Sequence, residues 1–244
     1  MFQKFIIFII SFFDFFYQKK IINFLKKNIG HNISTLIDVG AHKGETINLF
    51  AKNFNVKKII SFEASPITFK YLRRKKFFFN TKYRQTEIIL ENFALGSENR
   101  NSKIKHIFES SSSTINEINS ESKYFKKKYR ILNLFNNKKL YENLKIKIIK
   151  LSEYLNMNNL NKIDFLKIDT EGYEYEVIKG LESDIKKVYM IMFEHHYDDM
   201  IKKNYTFGMI NDFLKINNFK IIYKSKMPFR KTFEYIYIND NFCK

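Results

Sequence analysis

Asp38, Glu63, Asp169, Glu194 and His195 each stand at the carboxyl end of a short apolar run in a chain of 244 residues. Runs of this kind read as strands buried on both faces of a parallel sheet. Doubly wound sheets bind ligands outside the carboxyl ends of their strands, so these ionisable groups converge on one rim. Carboxylates there can accept hydrogen bonds from hydroxyls or hold a cation. A histidine, which titrates near neutrality, can take a proton. Candidates for such a base are His195, Asp169, Glu171 and Glu194. Asp169 with Glu194 could instead hold a divalent cation through oxygen ligands. Glu174 and Glu176 open the following helix and read as partners of its dipole.

The elements that position these groups begin with Thr35–Val39, a strand that ends in Gly40-Ala41-His42-Lys43-Gly44 and continues from Glu45 with helical spacing. Strand, glycine turn and helix place a helix amino terminus and free backbone N–H groups beside a nucleotide-like ligand. Gly40 is expected to turn where a β-carbon would strike the ligand, and Gly44 to let the helix approach the strand. The spacing departs from the dinucleotide fingerprint, because position 42 is His and not Gly. Asp38, just before the turn, would repel a diphosphate and attract a sulfonium or ammonium group. Adenosylmethionine carries both cations.

A second strand, Val56–Phe62, leads into Glu63, an acid about 20 residues beyond the glycine turn and suited to accept both ribose hydroxyls. Ser65 then reads as an N-cap, with Pro66 in the first turn. Glu87–Gly96 reads as a third strand whose end, Asn92 to Leu95, would lie beside the adenine. The candidate cofactor residues are Asp38, Gly40, Ala41, Gly44, Glu63, Ala64, Asn92, Ala94 and Asp169. Ile163–Asp169 and Lys187–Phe193 supply two more strands, and Val177, Ile178 and Leu181 the apolar stripe of the helix between them.

These motifs together resemble the FkbM family of adenosylmethionine-dependent methyltransferases: DVGAHKG (38–44), FEASP (62–66), NFALG (92–96), SSSTIN (111–116), DFLKIDTEGYEYEVIKG (164–180) and FEHH (193–196). The LKIDTEGYE stretch is the most specific part, and the resemblance runs from about Thr35 to about His196. It implies an α/β fold with a doubly wound, Rossmann-like sheet of seven strands, the last antiparallel. The late strands Phe219–Tyr223 and Phe233–Ile238, joined through Met227-Pro228, would complete that sheet. It further implies S-adenosylmethionine as cofactor at Asp38, Gly40 and Glu63. Asp169 and Glu171 would line the reaction centre, and the acceptor would be a hydroxyl of a small molecule or saccharide. His42 and Lys43 depart from the small or amide residues usual in that loop. An insertion at about 99–150, with a strand at Leu144–Ile149, is expected to cap the acceptor.

Composition bounds the remaining classes. The formal net charge is +18, with lysines scattered through every segment and knots at Arg73–Lys76 and Lys126–Lys128, which reads as a solvated surface. A nucleic-acid methyltransferase would need a contiguous basic face with aromatic platforms. Lys126–Arg130 with Tyr124, Phe125 and Tyr129 is the candidate, and nucleic acid is not the expected partner. The lone cysteine, Cys243, excludes an internal disulfide framework or a cysteine zinc site, as suits a reducing, cytoplasmic compartment. Residues 1–30 read as an apolar, aromatic helical segment ahead of a methyltransferase domain at 31–244. The run Phe5–Phe13 is too short to span a bilayer. It either docks on the domain or lies in a membrane interface through residues 2–17, with Lys19, Lys20, Lys26 and Lys27 near the head groups. A non-catalytic, membrane-associated protein that keeps the fold is a further alternative.

Overall fold

The computed structural model describes residues 2–107, 113–126 and 141–242, without the side chains of 2–13 and 15. Helix α1 (Phe2–Ile29) precedes β1 (Asn32–Val39), α2 (Glu45–Asn53), β2 (Asn55–Phe62), α3 (Pro66–Arg74), α4 (Lys76–Lys82) and β3 (Glu87–Glu91). Next come β4 (Ala94–Gly96), β5 (Arg100–Ile107), β6 (Glu117–Ile118), β7 (Tyr141–Lys150), α5 (Leu151–Met157), β8 (Ile163–Ile168) and α6 (Glu174–Lys179). The chain closes with β9 (Val188–His196), β10 (Ile201–Lys202), α7 (Phe207–Ile216), β11 (Phe219–Lys226) and β12 (Thr232–Asn239).

Seven strands form one sheet in the order β11-β12-β9-β8-β1-β2-β3. Six run the same way, and β12 alone is antiparallel to both its neighbours. The expected seven-stranded fold with an antiparallel last strand is therefore present. The strand order reverses between β1 and β8, where Asp38 stands in register with Lys167, and such a switch point opens a crevice at the strand tips.

Period-two alternation divides the strands between two cores. Ile37, Val39, Leu166, Ile168, Ile191 and Phe193 face α5, α6 and α7. Leu36, Ile59, Phe165, Met190 and Ile236 face the other way, under α1, α2, α3 and α4. Asp38 has the parity of Leu36, and Lys167, Asp169 and Glu194 fall on that same face. Helix α1 lies along it from Ile29 back to Asp14. Tyr17, Ile21, Ile22 and Leu25 are buried there, and Tyr17 donates a hydrogen bond to the Ser225 carbonyl at 3.2 Å. Among the described residues no helix is long and apolar enough to cross a membrane.

Several expectations are corrected. The third strand is broken in two: β3 ends at Glu91, and β4 leaves for a separate sheet of order β4-β7-β5. Asn92 breaks the run because its side-chain amide donates to the Glu63 carbonyl at 2.8 Å, tying the chain to the end of β2. Strand β9 continues through His196, so Glu194 and the two histidines lie within it, three residues farther than the apolar run suggests. The insertion is partly a β hairpin, since β5 pairs antiparallel with β7 from Arg100↔Ile148 to Ile107↔Tyr141. Ser111 and Ser112, Lys127–Arg130 and Cys243 lie outside the described residues.

The face beneath α1 also carries a charged core. Glu194 and Glu234 are directly opposite each other on β9 and β12, Glu234 buried and Glu194 partly buried. Burial and the proximity of Asp169 and of each other hold their carboxyls above the usual range, so the pair keeps a proton into the neutral region. For Glu234 the value is about 7. A carboxyl raised on folding contributes stability below its unfolded pKa and loses it as pH rises through the folded value. Glu234→Gln should therefore stabilise the chain by about 1–2 kcal/mol at pH 8 and leave it unchanged at pH 5. Denaturant midpoints at the two pH values check this, and a pH-independent difference contradicts it.

Candidate active site

The glycine turn is closed upon itself. Gly40 and Ala41 N–H both donate to the Phe62 carbonyl at 2.9 Å, and Gly44 N–H donates to the Ala41 carbonyl at 2.8 Å. His42 N–H donates to Glu63 Oε2 at 2.8 Å, and Lys43 N–H to Glu45 Oε2 at 3.0 Å. Every amide from 40 to 44 is thus engaged within the protein, and the turn offers no nest of N–H groups to a diphosphate. The expectation of free amides here is corrected, while the exclusion of a pyrophosphate gains a direct cause.

Both glycines are required, but for reasons the sequence did not show. Gly40 has φ +91°, and a β-carbon on it would stand 1.8 Å from the Asp169 carbonyl oxygen, so its close protein neighbour is the β8 end. A β-carbon on Gly44, at φ +87°, would meet the Phe79 ring of α4 at 2.7 Å and Leu72 of α3 at 3.0 Å, not β1. Asp169 N–H in turn donates to the Val39 carbonyl at 2.9 Å, which locks the two strand ends together.

Glu63 is buried at 7% exposure, with Oε2 on His42 N–H and Oε1 accepting from Ser65 N–H at 2.8 Å. Ser65 is the N-cap of α3, accepting from Thr68 N–H, with Pro66 in the first turn. Burial pushes the Glu63 carboxyl up to about 7, against the downward pull of those two amides. Asp38 is fully buried, and desolvation lifts it to about 6 although the Lys167 ammonium opposes the shift. Lys167 was not anticipated. Its Nζ lies 3.1 Å from Asp169 Oδ2, and the fields of Asp169, Asp38 and Glu194 overcome burial and keep it charged. The ammonium therefore lies against the carboxylate that a metal between Asp169 and Glu194 would need, and among the described residues no metal-binding cluster is present. Several carboxyl groups around one ammonium leave this rim negative, which suits a cationic ligand.

Two residues past Asp169, the backbone turns sharply at Glu171 (φ +52°) and Gly172 (φ +97°). Left-handed geometry at a glutamate is costly and needs support from its surroundings. Glu174, which is buried, supplies it: one carboxylate oxygen accepts from Thr170 N–H, Thr170 Oγ1 and Gly172 N–H, and the other from the Tyr205 hydroxyl. Thr114 and Asn116, from the Ser-rich motif, donate to the Glu171 and Gly172 carbonyls. Glu174 is thus the organiser of the turn, a larger role than helix-dipole partner. The turn brings Glu171 Oε2 to 3.4 Å from His196 Nε2, while His196 Nδ1 lies 3.1 Å from Thr232 Oγ1 and 3.7 Å from Asp198 Oδ2. Burial lowers the His196 pKa, but Asp198 and Glu171 outweigh it and raise it to about 9.

His195 lies elsewhere. Alternation along β9 turns it to the opposite face, where it packs between Tyr197, Tyr205 and Phe207. Burial, with Lys203 and His196 nearby, lowers its pKa to about 3. The structure brings Asp169, Glu171 and His196 to one rim and leaves His195 in an aromatic cage. Because β9 runs on to His196, the alternation Met192, Glu194, His196 was the signal that separates the two histidines.

A family profile described as the methyltransferase FkbM domain matches residues 38–221, more than half of the chain. The chain belongs to the FkbM methyltransferase family. Comparison with curated proteins gives no match. Among solved structures, the chain is similar to the methyltransferase FkbM of Methylobacillus flagellatus KT, with 14% identity and a TM-score of 0.50. The similarity covers 84% of this chain and 43% of that one, so the chain spans less than half of that protein's length. It is also similar to the METTL16 MTase domain at 12% identity and TM-score 0.50, over 89% of this chain and 65% of that one. At these identities the likeness establishes the fold.

FkbM methyltransferases belong to the class whose cofactor is S-adenosylmethionine, and the rim fits that molecule. Asp38 Oδ1 is buried without a hydrogen-bond partner, and each Glu63 oxygen keeps a lone pair beyond its single amide bond. Ala64 and Asn92 line a cavity of about 590 Å³ between the start of α3 and strands β5 and β7. Ala94, buried in β4, is not among the residues lining it.

Proposed function

We propose that this FkbM methyltransferase transfers a methyl group to a hydroxyl of a saccharide or similar small molecule. The reading is carried by one arrangement: His196, held between Asp198 and Glu171, with Glu171 two residues along the chain from the Asp169 that backs the glycine turn. When bound, S-adenosylmethionine supplies a methyl group already activated on a sulfonium. Glu63 accepts its ribose hydroxyls, and Asp38 with Asp169 presents negative charge to its cationic end. What remains for the protein is to align an alcohol and remove its proton as the bond forms. The His196 imidazole takes that proton, and Glu171, whose Oε2 lies 3.4 Å from Nε2, stabilises the imidazolium.

The acceptor site suits a polar, ring-sized molecule. Asp198 also lines a cavity of about 410 Å³ with Asn119, Ser122, Tyr124, Tyr197 and Lys231. Three of these side chains belong to the insertion, which accords with its role as the acceptor cap. Tyrosines offer faces to a sugar ring, and the amide, hydroxyl and carboxylate offer partners to its hydroxyls.

Incubation of the full chain with methyl-labelled S-adenosylmethionine and a panel of saccharides, with bulk RNA as a second arm, tests the reading. Label is expected in a saccharide. Label in RNA instead, or cofactor binding with no transfer to any hydroxyl, overturns it. In a calorimetric titration, Glu63→Gln should weaken cofactor binding by about 1–3 kcal/mol, roughly five- to 150-fold, because the ribose hydroxyls lose a charged acceptor. Unchanged affinity would remove Glu63 from the site.

A further inference from the structure

Two features of the chain are left unused by the methyltransferase reading, and both lie at the end of the sheet that carries the active-site rim. The first is the elbow between α3 and α4. Phe77 is 82% exposed, Phe78 53% and Tyr71 51%, an unusual concentration of bare aromatic surface. Arg73, Arg74 and Lys76 surround them, the Arg74 guanidinium lies 5.9 Å from the centre of the Tyr71 ring, and the Lys82 ammonium lies 5.2 Å from that of Phe78. The elbow is fixed at the level of the glycine turn, because Lys75 Nζ donates to the Lys43 carbonyl at 2.9 Å.

The second feature is the amino-terminal half of α1. At its carboxyl end, Lys26 lies over the Phe54 ring, next to the start of β2. Toward its amino end, Asp14 pairs at 2.9 Å with Arg230, in the hairpin between β11 and β12. That hairpin stands at the carboxyl end of β9, since Thr232 is in register with His196. The helix thus climbs the sheet and continues for residues 2–13 past the hairpin, about 18 Å at the helical rise per residue. The sequence of this overhang is FQKFIIFIISFF, with a single charge.

We infer that the strand-carboxyl end of this protein docks on an anionic lipid bilayer, with the overhang of α1 and the Phe77–Phe78 elbow as two apolar contacts flanking the active-site rim. Exposed phenylalanines ringed by arginine and lysine match an interface with acyl chains below and anionic head groups above. Nucleic acid would account for the basic elbow but not for an aliphatic helix beside it, and the occupant is therefore a membrane. Lys26 and Lys27 lie in the last turn of α1, at its opposite end, so of the four lysines that follow the apolar run these two are not head-group partners, and the elbow supplies basic residues of its own.

Co-sedimentation of the full chain with vesicles of phosphatidylcholine alone, or of phosphatidylcholine with phosphatidylglycerol, tests the docking. Binding is expected to the anionic vesicles, at least about tenfold tighter than to the neutral ones and weakened by salt. Phe77→Ser with Phe78→Ser, and separately Ile9→Glu with Ile10→Glu, should each raise the half-saturating lipid concentration about tenfold or more. An unchanged melting temperature would show that the variants remain folded. Equal binding by both variants and the parent chain, or equal binding to both vesicle types, overturns the proposal. Vesicle binding needs neither cofactor nor acceptor, so its failure leaves the methyl-transfer reading untouched.

Discussion

His196→Gln is expected to lower the rate of methyl transfer by about 10²- to 10⁴-fold, the usual worth of a positioned general base, while cofactor affinity changes little. The pH profile is the sharper readout. The neutral imidazole is the form that accepts a proton, and the pKa of His196 is raised to about 9 by Asp198 and Glu171 against the effect of burial. Activity should therefore climb about tenfold per pH unit toward pH 9 and level off above it. In the glutamine variant that slope should disappear. The same pairing contributes stability that is complete below about pH 6.5, the unfolded value, and lost as pH rises through about 9. His195→Ala provides the contrast. It removes a ring packed among three aromatics and should cost stability without altering the shape of the pH profile. Initial rates from pH 6 to 10 for the three proteins decide the matter. A profile abolished by the His195 variant and kept by the His196 variant would reverse the assignment.

The second large effect is expected at Gly40. An alanine there places a β-carbon 1.8 Å from the Asp169 carbonyl oxygen while φ is +91°, so the clash and the strained backbone act together. The obstruction is backbone on an interior strand end, which cannot swing away as a flexible side chain would. Relief requires β1 and β8 to part at the point where Asp169 N–H bonds to the Val39 carbonyl. We expect Gly40→Ala to cost on the order of 3–5 kcal/mol, among the larger single-site losses. That is a large fraction of the stability of an ordinary domain. Whatever folded protein remains should bind S-adenosylmethionine at least about tenfold more weakly, because Asp38 and Asp169 flank the displaced turn. Denaturant titration and calorimetry measure the two effects, and a stable variant with native affinity would contradict the geometry. Gly44→Ala should be milder, since its obstacles, Phe79 and Leu72, are side chains and not backbone, although the ring must shift and φ of +87° adds strain.

The sequence alone determined the strand-turn-helix at 35–50, the acids at the strand tips and the Ser65-Pro66 helix start. These follow from local pattern: apolar runs bounded by glycine, capping chemistry and the LKIDTEGYE motif all act over a few residues. Tertiary structure decided what depends on neighbours distant in the chain. It showed that the turn amides are consumed by Phe62, Glu63 and Glu45, and that Gly40 is demanded by Asp169. It placed Lys167 among carboxylates drawn from three other strands. It also turned His196 toward Glu171 and the rim and His195 into an aromatic cage, a division that rests on strand parity and so on where β9 ends. An apolar run marks where a strand is buried. It does not mark where pairing stops, and here pairing with β12 carries β9 on through its polar tip, because cross-strand hydrogen bonds are indifferent to side-chain polarity.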